Sequence, residues 1–103
     1  MSERWHATVK PSITDTNQYH NLLSGEKWTS FTRTMATGEI IPLETHEDEV
    51  QLIFVTMGRF KVIVNGSTYT AAPNDLISIE RGQPHKVTCI ETGVFVSIYL
   101  DLD

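Results

Sequence analysis

The chain has 103 residues, enough for one domain with one core, and its 13 acidic against 8 basic residues, with no run of Lys or Arg, exclude nucleic acid and an anionic membrane surface as natural partners. A hydrophobic fraction of 40% beside 20% charged residues is that of a chain that folds around a core rather than staying disordered. The single cysteine, Cys89, cannot close an internal disulfide, and with no apolar leader or bilayer-length apolar run the cytoplasm is the expected location.

Residues 1–27 carry Pro11 and scattered Asp, Thr and Asn, which predict loop, with Tyr19 to Leu23 as a short strand or helical turn. They are expected to form an arm packed on a barrel that spans residues 28–103. Trp28 to Met35 is strand-like in composition, with Trp28 opposite in phase to Phe31, and Gly38 ends it. Val50 to Met57 is a β-branched apolar run closed by Gly58, followed at once by Phe60 to Val64. Asn65-Gly66 is the strongest hairpin signal in the chain, because both residues tolerate the positive φ of a type I′ turn. With Ser67 the pair also matches a glycosylation sequon, for which a tight turn is the better reading. Ser67 to Ala71 returns as the partner strand. Pro73-Asn74-Asp75 turns the chain into Leu76 to Ile79, Gly82-Gln83-Pro84 into His85 to Ile90, and Gly93 precedes a last strand from Val94 to Leu100. Short strands at near-regular intervals with no long helical period predict an all-β sandwich or barrel.

Potential metal ligands cluster in the acidic stretch from Leu43 to Gln51. If the chain is extended there, Glu44 and His46 point to one face, and strands that bring Gln51 and His85 to the same face would close a polar cage in an apolar barrel. Imidazole nitrogen with carboxylate or amide oxygen suits a divalent transition metal, Fe, Mn, Ni, Zn or Cu, more than Ca or Mg. Gln51 opens an apolar strand, where its amide needs a hydrogen-bond partner or a ligand to bind. His6 and His20 match no pattern and are expected at the surface, and Glu47, Asp48 and Glu49 are expected to form a solvated loop. Cys89 shares strand parity with His85 and Val87, which predicts a small buried hydrophobe. Phe31, Arg33 and Trp28 are candidates for the pocket mouth, where an inward Arg33 would suit an anionic substrate.

The spacings themselves resemble a family. Gly38, five residues, Glu44-Thr45-His46, four residues, Gln51, six residues and Gly58 is similar to the first cupin motif. Asn74, five residues, Glu80-Arg81-Gly82, two residues, His85, three residues and Cys89 is similar to the second, and the two lie fifteen residues apart. The resemblance implies a single small jelly-roll-like cupin β-barrel with a metal held by His46, Gln51 and His85 and joined by Glu44, which stands where the family usually has its first histidine. Gln51 replaces a frequent glutamate, Glu80 a proline, Cys89 a frequent asparagine and Asn74 a turn glycine. From Gln51 to Tyr99 the chain looks most like small single-domain cupins of the pectin-degradation group, which open unsaturated monouronates. Those rely on an aspartate in the last strand, and Ser97 stands in its place.

Two classes of function follow from the resemblance. One is an enzyme acting on a small oxygenated compound such as a sugar acid, of isomerase, ring-opening or dioxygenase type, with Glu44, Ser97 and Tyr99 as candidate proton-transfer groups. The other is a non-catalytic module that senses or binds a metal or small ligand. In either case the expected partners are a small molecule and a second copy of the chain, since small barrels of this type pair about a two-fold axis.

Overall fold

The computed structural model describes residues 18–101, the first seven of them as backbone only. Residues 1–17 of the expected arm lie outside the described residues. The described chain is seven strands and no helix: β1 (Gln18–Ser24), β2 (Trp28–Met35), β3 (Ile40–Glu44), β4 (Val50–Val64), β5 (Ser67–Ala71), β6 (Leu76–Ile79) and β7 (His85–Leu100). The Tyr19 to Leu23 segment is therefore strand, within β1, which pairs antiparallel with β2.

Two expected strand breaks are not breaks. Gly58 does not close a strand and Gly93 does not open one, because β4 and β7 run straight through them and pair along nearly their whole lengths, from Val50 opposite Leu100 to Val64 opposite His85. At the glycines the ladder is irregular: Val55 to Phe60 advances five residues while the facing Phe95 to Cys89 spans six. Such a bulge bends the strands and increases their twist. It also shifts the inward parity of β4, so that Gln51, Ile53 and Val55 are buried before the bend and Phe60, Val62 and Val64 after it. Only glycine fits here. A Cβ on Gly58 would approach the Glu91 carbonyl oxygen to 2.5 Å, at a φ of +78° that side chains disfavour.

The bend divides the sheet into two halves that share β4 and β7. The first half of β4 lies between β6 and the second half of β7, which pairs onward with β2 and β1. The second half of β4 lies between β5 and the first half of β7, which pairs onward with β3. The two halves enclose the core of Met35, Ile53, Val55, Phe60, Val62, Val64, Ala71, Ile79, Val87, Cys89 and Phe95, giving an all-β jelly-roll-like barrel. Phe60 and Phe95 meet edge to face with ring centroids 5.2 Å apart beside the bend, closing that end. Each such fully buried side chain stabilises the fold by roughly 1.5 to 3 kcal/mol.

The turns form as their residues dictate. Asn65 and Gly66 take φ of 50° and 88°, the left-handed pair of a type I′ turn, and Asn74 takes a φ of 77°, which an asparagine tolerates in place of glycine. Cys89 is buried, as its parity predicts, and its thiol donates to the carbonyl oxygens of Glu91 at 3.1 Å and Met35 at 3.5 Å.

Candidate metal centre

The fold places the two ends of the long strands against each other. Gln51 and Tyr99 face one another at one end of the β4 and β7 ladder, and His85 stands at the other end, opposite Val64. Folding the ladder at Gly58 and Gly93 brings those ends together across the mouth of the barrel. The result is a cavity of about 410 Å³ lined by Gln51, Ser97 and Tyr99 from one half and His85, Val87 and Ile41 from the other. The third wall is β2, whose Thr29, Phe31 and Arg33 also line it. Their two-residue period is fixed by pairing with Tyr99, Ser97 and Phe95.

Glu44 is the last residue of β3 and pairs with His85. His46 lies beyond the end of that strand, so the two do not share an extended strand as the sequence suggested, yet both reach the cavity. The carboxylate Oε1 of Glu44 is 3.5 Å from His46 Nε2 and 3.9 Å from His85 Nε2. One ligand atom from each of the three residues falls within 4.8 Å of the others. The His46 and His85 rings lie 5.2 Å apart, and Tyr99 packs edge-on against His46 at 5.3 Å.

The hydrogen bonds around these groups decide which atoms face the cavity. His85 Nδ1 lies 3.1 Å from the Gln83 carbonyl oxygen, a bond that requires the proton on Nδ1 and leaves a lone pair on Nε2. Gln51 is buried and donates from Nε2 to Ser97 Oγ at 2.8 Å, which turns its Oε1 away from Ser97. His46 Nε2, Gln51 Oε1 and His85 Nε2 are all buried and have no hydrogen-bond partner among the described residues. Buried polar atoms without a partner cost about 1 to 3 kcal/mol each and are therefore rare. Three of them beside a carboxylate make a donor set with the chemistry of a transition-metal site. Ligand atoms on one ion with ~2.1 Å bonds sit roughly 3.0 to 3.4 Å apart, and the observed 3.5 and 3.9 Å separations are only slightly wider. The residues fit a divalent ion.

The family model for the cupin domain matches residues 31–99. The chain is a cupin. No curated protein sequence matches it closely enough to count as a relative. Among solved structures, KdgF from Halomonas sp. shares 16% identity at a TM-score of 0.79, over 84% of this chain and 79% of that one. The cupin domain of a Schizosaccharomyces pombe protein shares 18% at 0.78, over 91% and 74%. A predicted oxalate decarboxylase from Thermotoga maritima shares 19% at 0.70, over 82% and 79%. At these identities the likeness is one of fold.

The cupin differs from the sequence-based expectations at two positions of the cavity wall. Glu49, expected in a solvated loop with Glu47 and Asp48, lines the cavity instead. It precedes Gln51 by two residues, and that shared parity was the available signal. Trp28, a candidate for the mouth, does not line the cavity because Thr29 takes the inward phase beside Tyr99. Arg33 and Phe31 line it as expected. The side chains of His6 and His20 lie outside the described residues. Burial raises the Tyr99 hydroxyl above its ordinary value of 10.0, and Glu44 and Glu49 push in the same direction, against the lowering effects of Ser97 and Arg33. Tyr99 is thus a hydrogen-bond donor at neutral pH and not a base. Among the described residues no helix is long and apolar enough to cross a membrane.

Proposed function

We propose that this cupin holds one divalent transition metal at His46, Gln51, His85 and Glu44 and acts on a small oxygen-rich acid bound beside it. The observation that carries the reading is the convergence of the buried, unpartnered His46 and His85 Nε2 atoms on the Glu44 carboxylate, in a cavity that Gln51, whose buried Oε1 is also unpartnered, lines as well. A bound metal would polarise a carbonyl or hydroxyl oxygen of the ligand. The other cavity residues select and orient that ligand. A divalent ion and Arg33 against Glu44 and Glu49 leave one positive charge in the cavity with both imidazoles neutral, a match for a monoanion. Arg33 offers a planar fork that suits a carboxylate. Tyr99 donates a hydrogen bond to a second ligand oxygen, while Phe31, Ile41 and Phe95 supply the apolar wall.

Among the candidate proton-transfer groups, Glu44 is engaged with the histidines, Tyr99 is held protonated, and Ser97 is a poor base already tied to Gln51. That favours a second reading in which the cavity binds its ligand without turnover. It also leads us to propose that unsaturated monouronates, the substrates of the group this chain resembles, are opened slowly or not at all. The test mixes metal-loaded protein with unsaturated monouronates and with a panel of small hydroxy acids, following loss of substrate and binding heat. Binding of an acid that is lost in Arg33→Ala and in His85→Ala supports the reading. Rapid uronate turnover abolished by His85→Ala would overturn the slow-turnover proposal and establish the enzyme.

We also propose a homodimer. The outward face of the first sheet half carries Leu52, Phe54, Val96 and Ile98, all half-buried, with the exposed Leu76 paired beside Phe54. A second copy would cover this apolar face, and a monomer mass in light scattering at micromolar and higher concentrations would refute it.

A further inference from the structure

His46 and His85 are held unequally by their own segments. His85 opens β7 and takes its place from that strand, whereas His46 lies between β3 and β4, where no ladder fixes it. Both are tied to one short turn. Between β6 and β7 the chain reverses over residues 80–84, and there the Gln83 carbonyl oxygen accepts from His85 Nδ1 at 3.1 Å. In the same turn the Gly82 backbone N–H donates to the His46 carbonyl oxygen at 2.9 Å. The turn therefore sets the spacing of the two imidazoles, and also the His85 tautomer that leaves Nε2 open to a metal.

Whatever holds the turn thus bears on the site. At its far end the Asn65 N–H of the type I′ hairpin donates to the Pro84 carbonyl oxygen at 2.8 Å. At its near end the Gln83 N–H donates to the Glu80 carbonyl oxygen at 3.2 Å, a long backbone bond. The Gln83 side chain adds a shorter link across the same four residues, its Oε1 accepting from the Glu80 N–H at 2.9 Å. Gly82, between them, takes the φ of +76° that the reversal requires. Without the side-chain oxygen, the 3.2 Å bond alone closes residues 80–83 among the described contacts, and the Glu80 N–H turns to water. Glu80 and Gln83 line a separate groove with Tyr69 and Ser78, and neither lines the metal cavity. Their influence on the site passes through the turn.

We infer that the Gln83 side chain is a positioning residue for the metal centre. By capping the Glu80 N–H it locks the turn that carries both the acceptor for His85 and the donor for His46. The inference rests on the proposed metal centre and adds to it a residue outside the cavity. It can be isolated because the cap has one donor. Glu80→Pro removes that N–H and fixes the backbone itself, and the negative φ of Glu80 and the extended Ile79 before it admit a proline.

The test is a double-mutant cycle between Gln83→Met, which keeps the side-chain length but loses the oxygen, and Glu80→Pro. It is read by metal affinity in a chelator competition, by the visible bands of the cobalt(II)-loaded protein, and by nitrogen-15 NMR of the His85 ring in stripped protein. Gln83→Met should weaken metal binding about three- to tenfold, the worth of one intramolecular hydrogen bond. It should also alter the cobalt bands and populate the His85 tautomer with its proton on Nε2. In the Glu80→Pro background the same substitution should cost less than about twofold. Gln83→Glu, which keeps an acceptor oxygen, should restore the spectrum and the tautomer. Should Gln83→Met fail to fold, the double variant decides: affinity within about twofold of the unmodified protein supports the inference, and a larger loss overturns it. Equal losses in both backgrounds, or none in either, would overturn it while leaving the metal centre standing. Absence of metal binding by the unmodified protein would instead refute the centre, and this inference with it.

Discussion

The two ends of the barrel are built from the same strands and differ in how their polar atoms are satisfied. At the closed end, Phe60 packs on Phe95, and the buried Cys89 finds two carbonyl acceptors for its thiol. At the open end, His46, Gln51 and His85 each keep a buried atom without a partner. The other two such atoms, on Thr32 and Thr34, belong to the alternate phase of β2, which does not line the cavity. A fold driven only by stability would treat both ends alike. The open end leaves three buried polar atoms of the cavity-lining His46, Gln51 and His85 without a hydrogen bond, and the closed end supplies apolar burial.

This contrast can be broken at the hinge between the ends. A Cβ on Gly93 would collide with the Met57 carbonyl oxygen and the Gly58 Cα across the bulge, all of it backbone that cannot swing aside. Gly93→Val should therefore cost more than about 4 kcal/mol, among the largest effects a single change produces. Circular dichroism of the purified variant should show a chain unfolded or nearly so at room temperature. A folded variant with a normal melting curve would mean that the bend is not what joins the two ends.

A change at the closed end alone should separate stability from binding. Phe60→Ala removes a fully buried ring and should destabilise by about 3 to 5 kcal/mol in urea unfolding. Where enough protein remains folded, its metal affinity should stay within about threefold of the unmodified value, since Phe60 touches no proposed ligand and distant sites act independently. At the open end, Glu44→Ala should do the reverse. Glu44 is 44% exposed, so folding is little affected, while loss of the carboxylate should weaken metal binding about tenfold, or 1.4 kcal/mol.

The smallest effect expected is on pH. Burial raises both the Cys89 thiol, ordinarily 9.0, and the Tyr99 hydroxyl, ordinarily 10.0, with Glu39 adding to the first and the Gly93 backbone opposing it. Groups whose folded values are raised bind more protons in the native state, so their contribution is complete below the ordinary values and is lost as pH climbs through the raised ones. Melting temperature should decline as pH rises past 9.0 and 10.0, and the decline should be shallower in Cys89→Ala together with Tyr99→Phe. An identical decline in that double variant would place its origin elsewhere.

The barrel was legible in the sequence because its turns announce themselves: Asn65-Gly66, Pro73-Asn74-Asp75 and Gly82-Gln83-Pro84 all close strands where their residue types require it. Gly58 and Gly93 misled, since a glycine at a bulge and a glycine at a strand end look the same along the chain, and only the facing strand distinguishes them. The spacing of the two motifs pointed to Glu44, His46, Gln51 and His85, all of which line the cavity. The inward turn of Glu49 was signalled only by the parity it shares with Gln51, and the pairing of Gln51 with Ser97 was hidden, because it depends on a partner 46 residues away.

The central claim is that the unpartnered atoms at the open end hold a metal. The most direct measurement is equilibrium titration of chelator-stripped protein with a series of divalent transition metals, with thermal melting of the loaded and stripped forms. The account predicts one ion per chain and a rise in stability of about 2.7 kcal/mol at a hundredfold excess over Kd, both lost in His85→Ala. No saturable binding, or binding and stabilisation that persist unchanged in His85→Ala, would contradict it.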